Sequence, residues 1–156
     1  MKFFSICLLV VFVTAASAQD SLSYDPFAHQ EKAMKGLTYW GIGSMAVGTG
    51  MLFSGNPRVQ YAGIQNIAWG AIDAGIAYLG TRNLDTERLT KSPLQKRRQF
   101  RNALWINGLL DVLYIGAGYW MYSKGKNEKI KGTGVGVMVQ GGFLFAFDWI
   151  HFSLTL

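Results

Sequence analysis

Three aspartates, Asp73, Asp111 and Asp148, each stand in a long apolar stretch that holds no Lys, Arg or Glu. Amides recur beside them. Asn107 precedes Asp111 by four residues, Asn66 precedes Asp73 by seven with Trp69 between, and Gln140 precedes Asp148 by eight with Leu144 between. Spacings of three and four place residues on one face of a helix. Each of three helices therefore carries one polar stripe with one carboxyl. A carboxyl in such a setting can exchange a proton, hold a cation or hydrogen-bond one helix to another. A charged carboxylate facing lipid costs ~2.5–3.5 kcal/mol, so the stripes are expected to face inward. The polar core, or conduit, predicted on this basis is Asp73, Asp111, Asp148, Asn66, Asn107 and Gln140.

The elements that position these groups have the length of membrane spans. Four windows, 36–57, 59–81, 102–123 and 132–156, contain 22, 23, 22 and 25 residues without Lys, Arg or Glu. A helix rises ~1.5 Å per residue, so about 20 residues cross a bilayer core of ~30 Å. The expected fold is all-α: an integral membrane four-helix bundle of two helical hairpins, with spans near 36–54, 59–81, 102–123 and 133–153.

The chain's three prolines mark helix starts. Pro26, Pro57 and Pro93 follow Asp25, Asn56 and Ser92. Those three residue types are preferred N-caps, and proline is favoured at the first helical position. Helices are predicted over about 26–53, 57–81 and 93–123, with Gly55 and Gly125 as stops. The fourth helix has no proline and is expected over about 134–153, capped by Thr133. Segment 82–92 is the longest link and is expected to hold a helical turn at Asp85–Glu87.

Glycine accounts for 19 of 156 residues. Small residues let membrane helices approach closely. Gly41, Gly43, Gly48 and Gly50 on the first helix, and Gly70, Ala71, Ala74 and Gly75 on the second, are expected to form contact faces. Tyr39, Trp40, Tyr61, Tyr119, Trp120, Tyr122 and Trp149 lie near span ends, as interfacial aromatics do. Residues 132–149 also read as alternating, from Thr133 through Val135, Val137 and Val139 to Phe143, Phe145, Phe147 and Trp149. That is a strand pattern and admits a membrane barrel as the rival fold. Long unbroken windows with capped starts favour helices. A spacing of eight recurs in Gln65–Asp73 and Gln140–Asp148, on the second helix of each hairpin.

The first 18 residues read as a cleavable signal peptide. Lys2 gives the positive start, Phe3–Val13 the apolar core and Ala16-Ser17-Ala18 the cleavage site. The single domain is then 19–156, inserted through the secretory pathway as a multi-pass cell-membrane protein. Cys7, the one cysteine, leaves with the peptide, which excludes disulfides and thiolate chemistry in the mature chain. Its charge is +5, from 14 Lys and Arg against 9 Asp and Glu. Seven of the positives fall in 82–101, without interleaved stacking aromatics, so nucleic acid is not an expected partner. Membrane lipids are, with a second copy or another membrane protein as further partners. Orientation carries a conflict: a cleaved signal puts five positives inside against nine outside, opposite to the positive-inside preference.

No cofactor motif, catalytic triad or phosphate-binding loop is legible, and no enzyme is expected. The leading expectation is a structural or accessory membrane component ordered by its polar core. The alternative is a proton, cation or small-solute pathway through the aspartates. A metal or haem site is a third reading, from His29 and His151 at one end of an up-down bundle, with Asp148 at i, i+3 from His151. The run Gly132-Thr-Gly134 … Gln140-Gly141-Gly142 … Phe147-Asp148, behind four spans and a signal peptide, resembles an uncharacterised group of small bacterial four-helix membrane proteins. That resemblance implies the layout and no activity.

Overall fold

The computed structural model describes residues 24–156, so the signal-peptide reading of residues 1–18 and Cys7 lies outside the described residues. The described chain is all-α: α1 Pro26–Leu52, α2 Pro57–Thr81, α3 Leu84–Thr90, α4 Pro93–Lys124 and α5 Glu128–Ser153. No strand occurs among the described residues, and 132–149 is helical, which overturns the barrel alternative.

Three starts form as the sequence chemistry demands. Asp25 Oδ1 accepts from the amides of Phe27 (2.8 Å) and Ala28 (3.2 Å). Asn56 Oδ1 accepts from Arg58 N at 2.9 Å. Ser92 and Gln95 satisfy each other's backbone amides in a capping box. The fourth start differs from expectation. Asn127, not Thr133, caps α5, accepting from Ile130 N at 2.9 Å. Thr133 lies inside the helix and donates to Lys129 O at 3.1 Å. Gly132, Gly134 and Gly136 lie in the first turns of α5, although isolated glycines disfavour helix. Packing overrides that preference, as a methyl at Gly132 would sit 2.2 Å from Arg58 O, and one at Gly136 2.5 Å from Gln65 Cβ.

Glycine seams set the helix pairing. α1 packs along α2 and α4 along α5, the two hairpins, and α2 packs against α5 to join them. Gly41 meets Gly70 and Gly48 meets Gly63 so closely that a methyl on any of the four would lie 2.5–2.7 Å from the opposing carbonyl oxygen. Gly118 and Gly134 make the same contact between α4 and α5, at 2.8 and 2.5 Å. The expected faces are therefore corrected. Gly43, Gly50 and Gly75 point into open space, and Gly63 joins Gly41, Gly48 and Gly70 instead. Ala33, Met34, Leu37, Ala77, Phe100 and Leu104 form the apolar core at the end where α1 and α4 begin.

The expected turn at 85–87 is α3, and it is tied down. Arg88 donates to the α1 cap Asp25 at 2.9 Å. Glu87 accepts from Lys91 at 2.6 Å and from Lys96, whose side chain is 4% exposed. Lys91 first, then Lys96, hold the Glu87 carboxyl below its ordinary value of 4.5. A lowered folded value means this contribution is full above 4.5 and is lost as pH falls through the lower folded value. Glu87→Gln is expected to cost about 1–3 kcal/mol at neutral pH, since it strips Lys96 of its ion partner. The check is a set of melts of both proteins in one detergent. Their difference in Tm should be constant above 4.5 and narrow as pH falls through the lowered folded value of Glu87, and a difference that does not narrow in acid would refute the pairing argument.

Candidate functional site

The sequence-predicted polar core divides into two unlike parts. The first is an amide network across three helices. Gln140 on α5 is fully buried and accepts from Trp40 Nε1 of α1 at 2.9 Å. Its Nε2 donates to Ser44 Oγ of α1 at 3.2 Å and to Asn66 Oδ1 of α2 at 2.5 Å. Asn66 Nδ2 donates back to Ala62 O at 3.2 Å. Trp40 also stacks on Phe143, centroids 3.6 Å apart. Every polar atom of the Gln140 amide is satisfied, so this part reads as helix-to-helix glue. The sequence reading missed Ser44 and assigned Trp40 to the interface. Their four-residue spacing, one face of α1, is the signal that finds them.

The second part is a cleft of about 520 Å³ in the half of the bundle where α1 and α4 begin and α2 and α5 end. Asp73, Asp111 and Asp148 all line it, at 0%, 3% and 5% exposure. The small residues of α4 and α5 bring two of them together. A methyl at Gly141 would lie 3.3 Å from Asp111 O, and one at Gly108 would lie 4.0 Å from Asp148 Cβ. Asp111 and Asp148 consequently stand side by side on the cleft wall. Asp73 faces them from α2. Neither of its oxygens, nor Oδ2 of Asp111, has a hydrogen-bond partner. Buried polar atoms without partners are rare and call for an explanation.

Apolar and aromatic side chains complete the cleft. Buried Met34 and Leu37 of α1 lie at its floor, and half-exposed Ile72, Ile76 and Leu110 of α2 and α4 stand at its rim. Trp69 and Tyr114 bridge α2 and α4 edge to face, centroids 5.0 Å apart. Lys96, paired with Glu87, lies at the other end. Asn107, predicted as a core residue, is instead an exposed wall residue of this cleft. Its four-residue offset from Asp111 is real, but Asn107 lies on the edge of the buried stripe.

The histidines do meet. His29 Nε2 lies 2.9 Å from His151 Nδ1, and Tyr24 Oη lies 2.7 Å from His29 Nδ1. Burial holds the His29 imidazole below its ordinary value, so it is neutral at pH 7. No group of three His, Cys, Asp or Glu side chains is arranged to hold a metal ion among the described residues. The expected Asp148 ligand belongs to the acid cleft instead.

Fold and site together define a glycine-seamed, all-α helical bundle with an acid-lined cleft. The chain belongs to a family of unknown function (DUF6992), whose family model matches residues 36–149. This bears out the sequence-level assignment to an uncharacterised group. The matched segment holds all six predicted core residues and leaves out Tyr24, His29 and His151. No curated protein and no solved structure matches the chain.

By length and composition, one described helix is a candidate membrane span: α5, Glu128–Ser153, with mean hydropathy 1.3 over its most apolar stretch, of which 22% is buried in the protein. The sequence expectation was four. α1, α2 and α4 are longer than 20 residues but carry much Gly, Tyr and Trp, which weigh little or negatively on a hydropathy scale.

Proposed function

We propose that the chain is a non-enzymatic, multi-pass membrane component, with α1, α2, α4 and α5 as spans. In this reading the amide network holds the bundle, and the three aspartates form a site that exchanges a proton or cation. Support for the membrane placement comes from side chains turned outward. Ile42 and Val47 on α1, Ile64 on α2, and Ile106, Leu109 and Leu113 on α4 are all exposed, within windows free of Lys, Arg and Glu. Large apolar side chains exposed on three helices fit contact with lipid or a partner.

The observation that carries the site is Asp73. It is fully buried against a cleft, yet neither carboxyl oxygen is bonded. Bracing between helices accounts for Gln140 and Asn66. It also accounts for Asp111 and Asp148 standing side by side, which favours a second reading in which those two acids only pin α4 to α5. It gives Asp73 nothing to do, whereas an arriving proton or cation does.

Single cysteines in a Cys7→Ser background test both halves. Asn107→Cys and Leu144→Cys line the cleft, and Val47→Cys and Leu113→Cys face outward. In intact membranes, a small water-soluble thiol reagent is expected to label the cleft pair and spare the outward pair until denaturation. Labelling of all four would remove the membrane placement. Labelling of none would mean a dry cleft and remove the site.

A further inference from the structure

We infer that the acid cleft is a binding site for an organic ammonium ion with an apolar body, entering between α2 and α4. The inference rests on the site proposed above and names its ligand class. Three features of the cleft select that chemistry.

The charge comes first. Asp73 is buried, unpartnered and part of the cleft lining, and Asp111 and Asp148 line it too. The one cation on the lining, Lys96, is already engaged by Glu87. Anionic ligands are therefore disfavoured and a cation is called for. The size comes second. A volume of about 520 Å³ falls within the range of small-molecule pockets, ~300–1,000 Å³. A bare divalent ion instead needs six or more oxygens within ~2.0–2.6 Å, and no such set is assembled among the described residues.

The wall comes third. Beyond the acids the lining is largely aliphatic and aromatic. Trp69 and Tyr114 close one end with their rings in contact, and aromatic faces attract ammonium groups. Ile72, Ile76 and Leu110 line the cleft and are 48%, 46% and 42% exposed, so the rim is apolar and turned outward. A ligand fits this gradient with its ammonium on the acids and its apolar part toward the rim.

The test uses the full mature chain in detergent, benzyltrimethylammonium chloride as probe and benzyl alcohol as the neutral match, read by tryptophan fluorescence and calorimetry. Saturable binding of the ammonium alone is expected. Asp73→Asn should weaken it at least about tenfold, as expected when one partner of a buried charge pair is removed. Ile76→Trp, which fills the rim with the acids intact, should weaken it comparably and guards against an aspartate variant that fails to fold. Affinity should rise with pH, because protons compete for the same oxygens. The titratable groups facing the cleft are the three aspartates, Tyr114 and Lys96 with its partner Glu87, and α1 presents none. Equal binding of benzyl alcohol, or ammonium binding untouched in both variants, would overturn the inference. Absent ammonium binding with the cleft cysteines still labelled would overturn it too, while leaving the proposed site to protons or a smaller cation. Unlabelled cleft cysteines would instead sink the underlying site.

Discussion

Alanine at Gly41, Gly48, Gly132 or Gly134 is expected to destabilise the bundle by about 1–3 kcal/mol each, while alanine at Gly43, Gly50 or Gly75 leaves it unchanged or firmer. The chemistry of the substitution is the same, so only the surroundings differ. At the first four positions the added methyl would meet a backbone carbonyl oxygen at 2.2–2.6 Å. Backbone cannot swing aside as a long side chain can, so the helices must part along the seam. At the other three nothing lies within 4 Å, and the substitution removes a glycine from a helix interior, worth ~0.5–1 kcal/mol. For a chain of this size 1 kcal/mol shifts Tm by roughly 2–4 °C. Melts of the seven variants in one detergent should fall into two groups on either side of the parent. If they overlap, backbone contact does not hold the seams.

Much of the fold was legible because its signals are local. Three proline-led starts and their caps depend on residues a few positions apart, so Asp25, Asn56 and Ser92 could be read without any tertiary contact. α5 was misplaced by six residues at its start because its cap, Asn127, is local but is followed by no proline and by a run of glycines that disfavour helix. Its first turns are held by Arg58 and Gln65 on another helix, and a glycine run carries no local trace of that support. The same limit governs the glycine faces. Gly41 and Gly43 are equal as residues, and only the position of α2 makes one a seam and the other open surface.

The site was half legible. The acids were recognised from type and spacing, and the structure brings all three to one cleft. What spacing could not supply was the division between satisfied and unsatisfied groups. Gln140 and Asp148 lie on one stripe of α5, yet one finds bonding partners on α1 and α2 and the other faces a cavity and a second acid. Whether a stripe becomes glue or a site depends on what stands opposite, which a single helix does not record. Asn107 is the counterpart, a residue at the right interval that lines the same cleft as the acids but stands exposed on its wall.

Replacing Gln140 by leucine should separate the two parts most sharply. Gln140→Leu keeps the volume close to native but removes all three side-chain bonds from Trp40, Ser44 and Asn66. A buried donor or acceptor left unsatisfied costs ~1–3 kcal/mol, so the loss of several partners at once is expected to cost about 2–4 kcal/mol. A bilayer reference state lowers such values, since the separated helices also find partners. Asp73→Asn is expected to do the reverse. Its two oxygens have no partners to lose, and the substitution removes an ionisable group from a buried position, so stability should hold or rise slightly. The measurement is paired: Tm in one detergent, and thiol labelling at Asn107→Cys in each background. Gln140→Leu should lower Tm with the cleft still labelled wherever the bundle survives. Asp73→Asn should keep Tm. A severe loss of stability in Asp73→Asn would place that carboxylate among the structural groups and leave the cleft without its central argument. Equal tolerance of both substitutions would mean the amide network is dispensable, and the seams of glycine would then carry the bundle alone.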